Sequence, residues 1–332
     1  MTGLEPAASG VTGQRSNQLS YTPMNGVGLQ AGPAIIAMSR KMRNLACMKL
    51  VSYSTESGPR AGVIVGEEVV DAWGALGETS RSSLRELLAE DRISELAEAV
   101  SGDATGESAG RVEEITLEAP IPDPDKIICI GLNYRAHAEE FDLEIPAAPT
   151  VFAKFRNALV GNAATVELPA ASSKVDFEAE VAFVIGRQAK EVAPSDALDH
   201  VAGYTLLDDL SARDLQFLTP QWMPGKVFDG SAPCGPWLVT PDEIESHDAI
   251  DLALTLNGEQ MQSSSTADLI FPVPELVSRL SHWMTLEPGD IVSTGTPSGV
   301  GSGRKPRVWL QPGDRIVVSS SAIGDLETTI AG

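Results

Sequence analysis

Two glutamates placed two residues apart in an apolar run constrain this chain more than any other feature. Glu178 and Glu180 lie in the segment Asp176–Glu180, and the positions around them are apolar: Phe177, Ala179, Val181 and Phe183. In a strand, residues two apart project from the same face. Two buried carboxylates repel and are costly to desolvate unless a positive group lies between them. The pattern favours a divalent cation at this point; the alternative is an exposed strand face with two solvated glutamates.

A second acidic segment follows the apolar run Val201–Leu207, which ends at Asp208 and Asp209, where a strand gives way to a helix. A carboxylate at the end of a strand is well placed to complete a site on the neighbouring strand. In this interpretation Asp209 joins the two glutamates, and Arg213 orients a carboxylate through paired hydrogen bonds. The alternative is that Asp209 and Ser211 only cap the following turn.

The chain after residue 118 has the pattern of a β-rich domain. Apolar or alternating runs predict strands at Lys126–Gly131, Phe177–Ile185, Val201–Leu207, Trp237–Thr240, Leu252–Leu256, Ile291–Ser293 and Arg315–Ser319. Asn257-Gly258 predicts a hairpin turn, and Pro272–Met284 is the clearest helix. Regular strand–helix alternation is missing, and no GxGxxG motif follows a strand, which argues against a dehydrogenase with a nucleotide-binding fold. The predicted class is α+β and β-rich, a roll or sandwich.

The N-terminal part divides into a leader and a small α+β unit. Residues 1–47 are rich in Gly, Ser, Asn and Gln and poor in acids. We expect them to be a disordered leader with the real start at Met48; a transit peptide is the alternative. Residues 48–118 predict short strands and a helix that begins with the capping box Ser83-x-x-Glu86. The Gly/Ser-rich stretch Ser101–Gly110 predicts a linker before the main domain, residues 119–332.

Charge and cysteine content limit the partners and the compartment. The 332 residues include 24 basic and 46 acidic side chains, a net charge of −22. This balance argues against nucleic acid as a partner but not against an acidic small molecule, because a bound cation reverses the local potential. No apolar stretch is long enough to span a membrane. The three cysteines show no CxxC spacing, which favours free thiols in a reducing compartment, so we expect a cytoplasmic protein.

Five motifs in order resemble one known family. They are Asn133-Tyr-Arg-Ala-His-Ala-Glu-Glu140, Asp176-Phe-Glu-x-Glu180, Asp209-Leu-Ser-Ala-Arg-Asp-Leu-Gln216, Gly225-Lys-x-Phe-Asp229 and Thr294-Gly-Thr-Pro-Ser-Gly-Val-Gly301. Together they resemble the fumarylacetoacetate hydrolase family over about Lys126 to Ile330. The resemblance implies a mixed β-sandwich roll, the C-terminal domain of that family, preceded by a small N-terminal domain. It also implies a homodimer.

The same resemblance implies roles for individual residues. Glu178, Glu180 and Asp209 match the metal ligands, and oxygen ligands suit Mg²⁺ or Mn²⁺, with Ca²⁺ also possible. The matching catalytic residues are His137, Glu140 and Lys226, and the residues expected at the substrate are Lys154, Arg213, Gln216 and Thr296.

For several of these residues the side-chain chemistry suggests a role independently of the resemblance. His137 and Glu140 are three apart, so on a helix Glu140 can orient the imidazole; Glu139 is the rival for this role, and a surface histidine is the alternative. Lys226 beside Gly225 can neutralise an oxyanion, or it can be a solvated loop lysine. Thr296 lies in a Gly-rich turn whose amides can bind a carboxylate.

These expectations combine into a metal-dependent hydrolase that cleaves a C–C bond in a small 1,3-diketo or 2-oxo acid of the acylpyruvate or fumarylpyruvate type. The same site also suits a 2-hydroxyhepta-2,4-diene-1,7-dioate isomerase or an oxaloacetate decarboxylase. A non-enzymatic cation-binding protein is the remaining alternative. It would require His137 and Lys226 to lie away from the carboxylates.

Overall fold

The computed structural model describes residues 48–101 and 106–332. The predicted leader, residues 1–47, lies outside the described residues. The N-terminal segment contains β1 (Lys49–Tyr53), β2 (Arg60–Val65), β3 (Glu68–Asp71), α1 (Ala72–Ala75), α2 (Leu84–Ala89), α3 (Ile93–Val100) and β4 (Ser108–Arg111). Within the described residues no helix has both the length and the apolar character needed to cross a membrane.

The remaining chain is dominated by strands. They are β5 (Ile127–Gly131), β6 (Thr150–Lys154), β7 (Leu159–Val160), β8 (Ala164–Glu167), β9 (Val175–Asp176), β10 (Ala179–Ile185), β11 (Val201–Asp208), β12 (Ser211–Ala212), β13 (Ala232–Val239), β14 (Asp251–Leu256), β15 (Glu259–Ser265), β16 (Ile291–Ser293), β17 (Arg315–Ser320) and β18 (Gly324–Ala331). The helices are α4 (Arg135–Glu140), α5 (Arg213–Gln216), α6 (Met223–Lys226) and α7 (Val273–Trp283). Short 3₁₀ turns lie at Arg156–Ala158, Ala197–His200, Pro241–Glu243, Thr266–Asp268 and Gly301–Gly303.

Two mixed sheets organise these strands. The larger has the order β4-β3-β2-β1-β13-β11-β10-β16-β5-β6, and the smaller has the order β15-β14-β17-β18-β8. Both contain parallel and antiparallel pairs, since β16 is parallel to β5 and β18 is parallel to β8. Their facing apolar residues share one core, which includes Phe183 of β10, Leu254 of β14 and Val318 of β17. The predicted β-rich sandwich is confirmed.

The N-terminal segment extends the larger sheet. Strand β1 pairs antiparallel with β13, and Lys49 lies opposite Val239. Helix α2 begins as predicted, because the Ser83 hydroxyl accepts a hydrogen bond from the Glu86 amide at 3.4 Å. Its leucines at 84, 87 and 88 are buried. The predicted domain boundary at residue 118 stays a prediction.

Strand β10 is buried along its whole length and packs on both faces. Val181, Phe183 and Ile185 belong to the core shared with the smaller sheet, whereas Ala182 and Val184 belong to a second core with the N-terminal segment. Successive side chains of a strand point to opposite faces, which explains this division. Glu180, the second residue of this buried strand, is itself buried, so its carboxylate is costly to ionise unless a positive group lies close to it.

Some predicted elements differ from the structure. The predicted strand Phe177–Ile185 begins only at Ala179, because residues 175–176 form β9 and pair with β12 instead. The predicted Ser101–Gly110 linker ends in a strand, since Ser108–Gly110 are part of β4. Strand β13 begins at Ala232 rather than Trp237, although two prolines and a glycine interrupt it. The sequence analysis missed β18, in which buried residues alternate with acids and threonines.

Candidate functional site

The three predicted metal ligands come together at one end of β10 and β11. The antiparallel register places Ala179 opposite Asp208, and the Asp209 amide donates to the Glu178 carbonyl at 2.9 Å. One carboxylate oxygen each from Glu178, Glu180 and Asp209 lies within 4.8 Å of the others, and all three residues are buried. Glu178 lies between β9 and β10 rather than in a strand, so the two-residue spacing of a strand does not by itself account for its convergence with Glu180.

Cations contact two of these three carboxylates. Lys226 Nζ lies 2.6 Å from Glu178 Oε2 and 2.7 Å from Asp209 Oδ2. Arg213 Nη2 donates to Glu178 Oε1 at 2.6 Å, and Lys154 Nζ lies 2.8 Å from Asp209 Oδ1. The third carboxylate, of Glu180, is different. Within the described residues its hydrogen-bond donors are neutral.

Glu180 accepts hydrogen bonds from the Ser293 hydroxyl and, at 3.0 Å, from the Gly295 amide. Burial raises its pKa well above the usual value, and the nearby carboxylates of Asp209 and Glu178 raise it further. For Glu178, burial acts in the same direction, but Arg213 and Lys226 outweigh it and lower the pKa. Without a bound cation the site therefore favours the protonated form of Glu180, which has no ion pair within the described residues.

The balance of charged side chains around the cluster favours a bound divalent cation. Five buried carboxylates lie here, those of Asp176, Glu178, Glu180, Asp208 and Asp209. Three cations face them: Lys154, Arg213 and Lys226. With all five carboxylates ionised, two negative charges remain. Burial raises the pKa of Asp208 to about 7 and the pKa of Glu180 well above its usual value, so the fully ionised state is favoured only when a cation is bound. The donor set consists of carboxylate oxygens, which suit Mg²⁺, Mn²⁺ or Ca²⁺. The residues present fit such an ion in both charge and chemistry.

Helix α4 carries the predicted histidine–glutamate pair. His137 Nδ1 lies 2.9 Å from Glu140 Oε2, the neighbouring carboxylate that contacts the imidazole. A carboxylate at this distance holds the proton on Nδ1 and leaves Nε2 as the basic nitrogen. Glu140 Oε1 accepts from the Gly299 amide at 3.0 Å, so the same residue ties α4 to the Gly-rich turn. Glu140 rather than Glu139 therefore occupies the position expected from the sequence.

One cavity of about 480 Å³ contains most of the predicted site. Among its lining residues are His137, Glu178, Glu180, Asp209, Arg213, Gln216, Lys226 and Thr296. Gln216 Oε1 accepts from Arg213 Nη1 at 3.0 Å, which leaves the Gln216 amide nitrogen to donate into the cavity. Lys226 lies in the wall, 4.9 Å from the Phe152 ring centre.

Lys154 is placed differently from the prediction. It does not line the cavity, and its ammonium lies behind Asp209, where it donates to the Ser231 carbonyl at 2.8 Å and to the Ser231 hydroxyl at 3.0 Å. It also donates to the Lys226 carbonyl. A lysine held in this way positions Asp209 and the backbone of Lys226, so the expected contact with substrate is not supported.

Ser211 does not cap the following helical turn. Its hydroxyl donates to the Asp209 carbonyl at 2.7 Å and lies 3.3 Å from Glu178 Oε2, while Ala212 is the residue before α5. The interpretation of Asp209 and Ser211 as caps alone is therefore wrong.

Two buried residues support the site without having been predicted. Asp176 accepts hydrogen bonds from the Gly301 amide at 2.7 Å and from Arg213 Nε at 2.9 Å. Its only sequence signal was its place in the quoted motif.

Gln262 lies on β15, in the other sheet. Its Oε1 accepts from the Ala179 amide at 2.9 Å, and its Nε2 donates to Thr296 Oγ1 at 2.8 Å. No local pattern marks a glutamine that acts 83 residues away in sequence. Because Nε2 donates to Thr296, the threonine hydroxyl is left to donate its own proton into the cavity.

A β-rich fold with a buried acidic cluster, a histidine–glutamate pair and a cationic wall in one cavity defines an enzyme class able to hold a metal ion. Residues 126–331 match the family model described as Fumarylacetoacetate (FAA) hydrolase C-terminal. The chain belongs to the fumarylacetoacetate hydrolase family, whose members related to it are enzymes. The predicted family is confirmed.

Three relatives carry different reaction names. A Bos taurus protein named mitochondrial oxaloacetate tautomerase is 43% identical over 213 residues, covering 64% of this chain and 68% of the relative. The structure of maleylpyruvate hydrolase from Sphingobium, in complex with manganese(II) and pyruvate, is 30% identical with a TM-score of 0.71, covering 86% and 99%. The 2-hydroxyhepta-2,4-diene-1,7-dioate isomerase structure from Mycobacterium marinum is 30% identical with a TM-score of 0.66, covering 86% and 98%.

Proposed function

We propose that this enzyme is a divalent-cation-dependent hydrolase that cleaves the C–C bond of a small 1,3-diketo or 2-oxo acid, of the acylpyruvate or fumarylpyruvate type. The observation that carries the proposal is the position of the His137–Glu140 pair, which opens onto the same cavity as Glu178, Glu180 and Asp209. This arrangement brings a base and an acidic cation site to one small molecule. It also disfavours a non-enzymatic cation-binding protein, because His137 and Lys226 both line the cavity.

Glu178, Glu180 and Asp209 would hold the cation, Mg²⁺ or Mn²⁺, with Ca²⁺ as a further possibility. The bound ion would act as a Lewis acid on the carbonyl and carboxylate oxygens of the substrate. The manganese and pyruvate named for the Sphingobium hydrolase support both the choice of ion and a 2-oxo acid as ligand.

The side chains of the cavity then divide the remaining work. Arg213, Gln216 and Thr296 bind the substrate carboxylate, and Lys226 adds positive charge at the inner end. His137 Nε2 takes a proton from water, and the resulting hydroxide attacks the distal carbonyl carbon. The bond from that carbon to the neighbouring CH₂ breaks, and the CH₂ carbon takes up a proton. The products are a carboxylic acid and a 2-oxo acid.

A second candidate is the tautomerisation of oxaloacetate. The name of the bovine relative favours it, and the chemistry needs only a base that moves a proton between carbon and oxygen of the substrate, which His137 can do. Decarboxylation of oxaloacetate and the isomerisation named for the Mycobacterium marinum enzyme use the same enolate chemistry. Attack by water is the step that distinguishes hydrolysis from all of these.

The test is a panel of an acylpyruvate, fumarylpyruvate, oxaloacetate and a hydroxymuconate-type acid, assayed with Mg²⁺, with Mn²⁺ and with EDTA. Products are identified by NMR, so that cleavage, tautomerisation and decarboxylation are seen separately. We expect cation-dependent release of pyruvate from the acylpyruvate. Tautomerisation without cleavage of any panel member would replace the hydrolase proposal by the second candidate. Full rates of cleavage in EDTA would overturn the divalent-cation-dependent hydrolase.

Three further expectations stay proposals. We expect a homodimer, a boundary near residue 118 between the small N-terminal domain and the catalytic domain, and a cytoplasmic location. The bovine relative is named as mitochondrial, so location is to be tested directly by fractionation.

A further inference from the structure

The turn formed by residues 299–304 binds two carboxylates through its backbone amides. The Gly299 amide donates to Glu140 Oε1 at 3.0 Å. Asp176 accepts from the Gly301 amide at 2.7 Å and from the amide of the next residue at 3.0 Å. Neighbouring backbone amides in a turn form a concavity that suits an anion. The turn therefore joins the carboxylate of the histidine–glutamate pair on α4 to a carboxylate behind the acidic cluster.

Arg304, the last residue of this turn, attaches it to β15 of the other sheet. Its Nε donates to the Gly299 carbonyl at 3.1 Å, and its Nη2 donates to the Met261 carbonyl at 2.6 Å. A guanidinium presents its donors in one rigid plane, so the two bonds fix the two carbonyls relative to each other. Gly299 thus has Arg304 as the partner of its carbonyl and Glu140 as the partner of its amide. The direction of that amide depends on Arg304.

The turn also packs closely against both β15 and Glu140. Gly299 has a φ of +102°, and a Cβ added there would lie 2.2 Å from the Met261 carbonyl oxygen. A Cβ added at Gly303 would lie 2.6 Å from Glu140 Oε1. Both distances are well below the about 3.5 Å of an ordinary contact, so any larger residue at either position would have to displace its neighbour. Glu140 Oε1 therefore fits between the Gly299 amide and the backbone of Gly303.

The position of Glu140 decides which nitrogen of His137 carries the proton. Glu140 uses its other oxygen, Oε2, to contact His137 Nδ1 at 2.9 Å. Both oxygens of one carboxylate are engaged, so a rotation of this group would break both contacts together. An imidazole that loses this partner no longer keeps its proton on Nδ1. In part of the molecules Nε2 would then carry the proton and could not accept one from water.

We propose that Arg304 is a positioning residue for the catalytic base. It acts through two intermediates, because it directs the Gly299 amide that holds Glu140, and Glu140 sets the tautomer of His137. The proposal rests on the proposed function for the role of His137 as a base. It assigns control of that base to a residue that lies after the last of the five motifs and is braced against the opposite sheet.

The test is the tautomer of His137, read from the ring-nitrogen NMR signals of full-length protein with isotope-labelled histidine, in EDTA and without substrate. The pH is about 9, where an ordinary imidazole is neutral, and His137→Asn identifies the signal. We expect the wild-type ring to carry its proton on Nδ1. In Arg304→Gln the ratio of the Nδ1-protonated to the Nε2-protonated ring should fall about tenfold, the order of one hydrogen bond. With substrate, kcat should fall about tenfold while KM and Mn²⁺ affinity stay within about threefold.

Two further variants separate positioning from a general loss of stability. Gly303→Ala leaves the donors of Arg304 in place, but its new methyl group displaces Glu140 Oε1, so it should lower the same ratio by a similar factor. The matched control is Arg85→Gln, which removes another partly buried arginine that donates to a backbone carbonyl, that of Asp123 at 3.2 Å. Arg85 lies on α2 in the N-terminal segment, so this control should stay within about twofold of the wild-type ratio.

The role of Arg304 is overturned if the wild-type ring is protonated on Nε2, if Arg304→Gln or Gly303→Ala leaves the ratio unchanged, or if Arg85→Gln lowers it equally. Arg304→Lys keeps a donor for one of the two carbonyls, so it should give an intermediate ratio and serves if Arg304→Gln does not fold. Because no substrate is present, the tautomer does not depend on C–C cleavage. The expected ratios in a protein that cleaves no panel member would sink the hydrolase proposal alone. Cleavage of an acylpyruvate with unchanged ratios in the variants would sink the role of Arg304 alone.

Discussion

Isosteric amides at Glu178 and Glu180 should have unequal effects on the metal-free protein, although the two residues are only two apart. Both Glu178 oxygens face cations: Oε1 accepts from Arg213 and Oε2 from Lys226. In Glu178→Gln the amide nitrogen must face one of these donors. The substitution removes a charge-assisted hydrogen bond, about 1.5–3 kcal/mol, and leaves buried cations less compensated. We expect a loss of about 2–4 kcal/mol in the free energy of unfolding.

Glu180→Gln should cost far less. Glu180 accepts from the neutral donors Ser293 and Gly295, which an amide oxygen also satisfies. Because burial and neighbouring acids raise the pKa of Glu180, a neutral amide replaces a group whose protonated form the site already favours. We expect a change within about 1 kcal/mol of wild type, in either direction. The two variants should therefore differ by at least about 1–2 kcal/mol.

Urea unfolding in EDTA measures this difference, and the same titration with Mn²⁺ tests the site. A ligand at 100 times its dissociation constant adds about 2.7 kcal/mol to the wild type. Both variants should lose most of this gain, because each removes a ligand. The reasoning is refuted if Glu180→Gln destabilises the EDTA-treated protein as much as Glu178→Gln, or if Mn²⁺ stabilises Glu180→Gln as it does wild type.

Three other predictions concern catalysis, positioning and the fold. His137→Asn should lower kcat about 10²–10⁴-fold with unchanged Mn²⁺ affinity, measured by steady-state kinetics and calorimetry; equal loss of both would refute the base role. Gln262→Glu replaces the donor to Thr296, so KM should rise about 10-fold at similar kcat, and the effect should largely vanish in a Thr296→Val background. For Asp71, burial would raise the pKa, but hydrogen bonds from Arg60 and Tyr53 outweigh it and lower the pKa below 3.8. Asp71→Asn should therefore lower the free energy of unfolding by about 1–3 kcal/mol at pH 7. The difference between wild type and variant should shrink as the pH falls below 3.8, because the wild-type carboxylate then takes up a proton. A difference in urea unfolding that stays constant with pH would contradict this.

The sequence was sufficient to predict those features that depend only on the residue types and their spacing. The Asn257-Gly258 turn joins β14 to β15 with positive φ at both positions, which the sequence alone predicts. His137 and Glu140 share a helix face, so their spacing in sequence fixes their contact. The acidic cluster was recognisable because carboxylates in apolar runs conflict with burial unless they are balanced.

Tertiary context decided what local pattern could not. Lys154 matches a position expected near substrate, but the direction of its side chain depends on Ser231 and Asp209, which lie far away in sequence. Strand β13 contains Pro233, Gly235 and Pro236, yet it lies inside the larger sheet because β1 and β11 pair with its remaining backbone groups. Gln262 reaches the site only because the two sheets pack together.

The central claim is that Glu178, Glu180 and Asp209 hold one divalent cation, which compensates the negative charge that Lys154, Lys226 and Arg213 leave when the carboxylates are ionised. A calorimetric titration of Mn²⁺ into EDTA-treated and then dialysed protein tests it directly, with Glu180→Gln as the comparison. The account predicts one saturable site per chain in the wild type and none in the variant. Absence of binding to the folded wild type, or equal binding by Glu180→Gln, would contradict it.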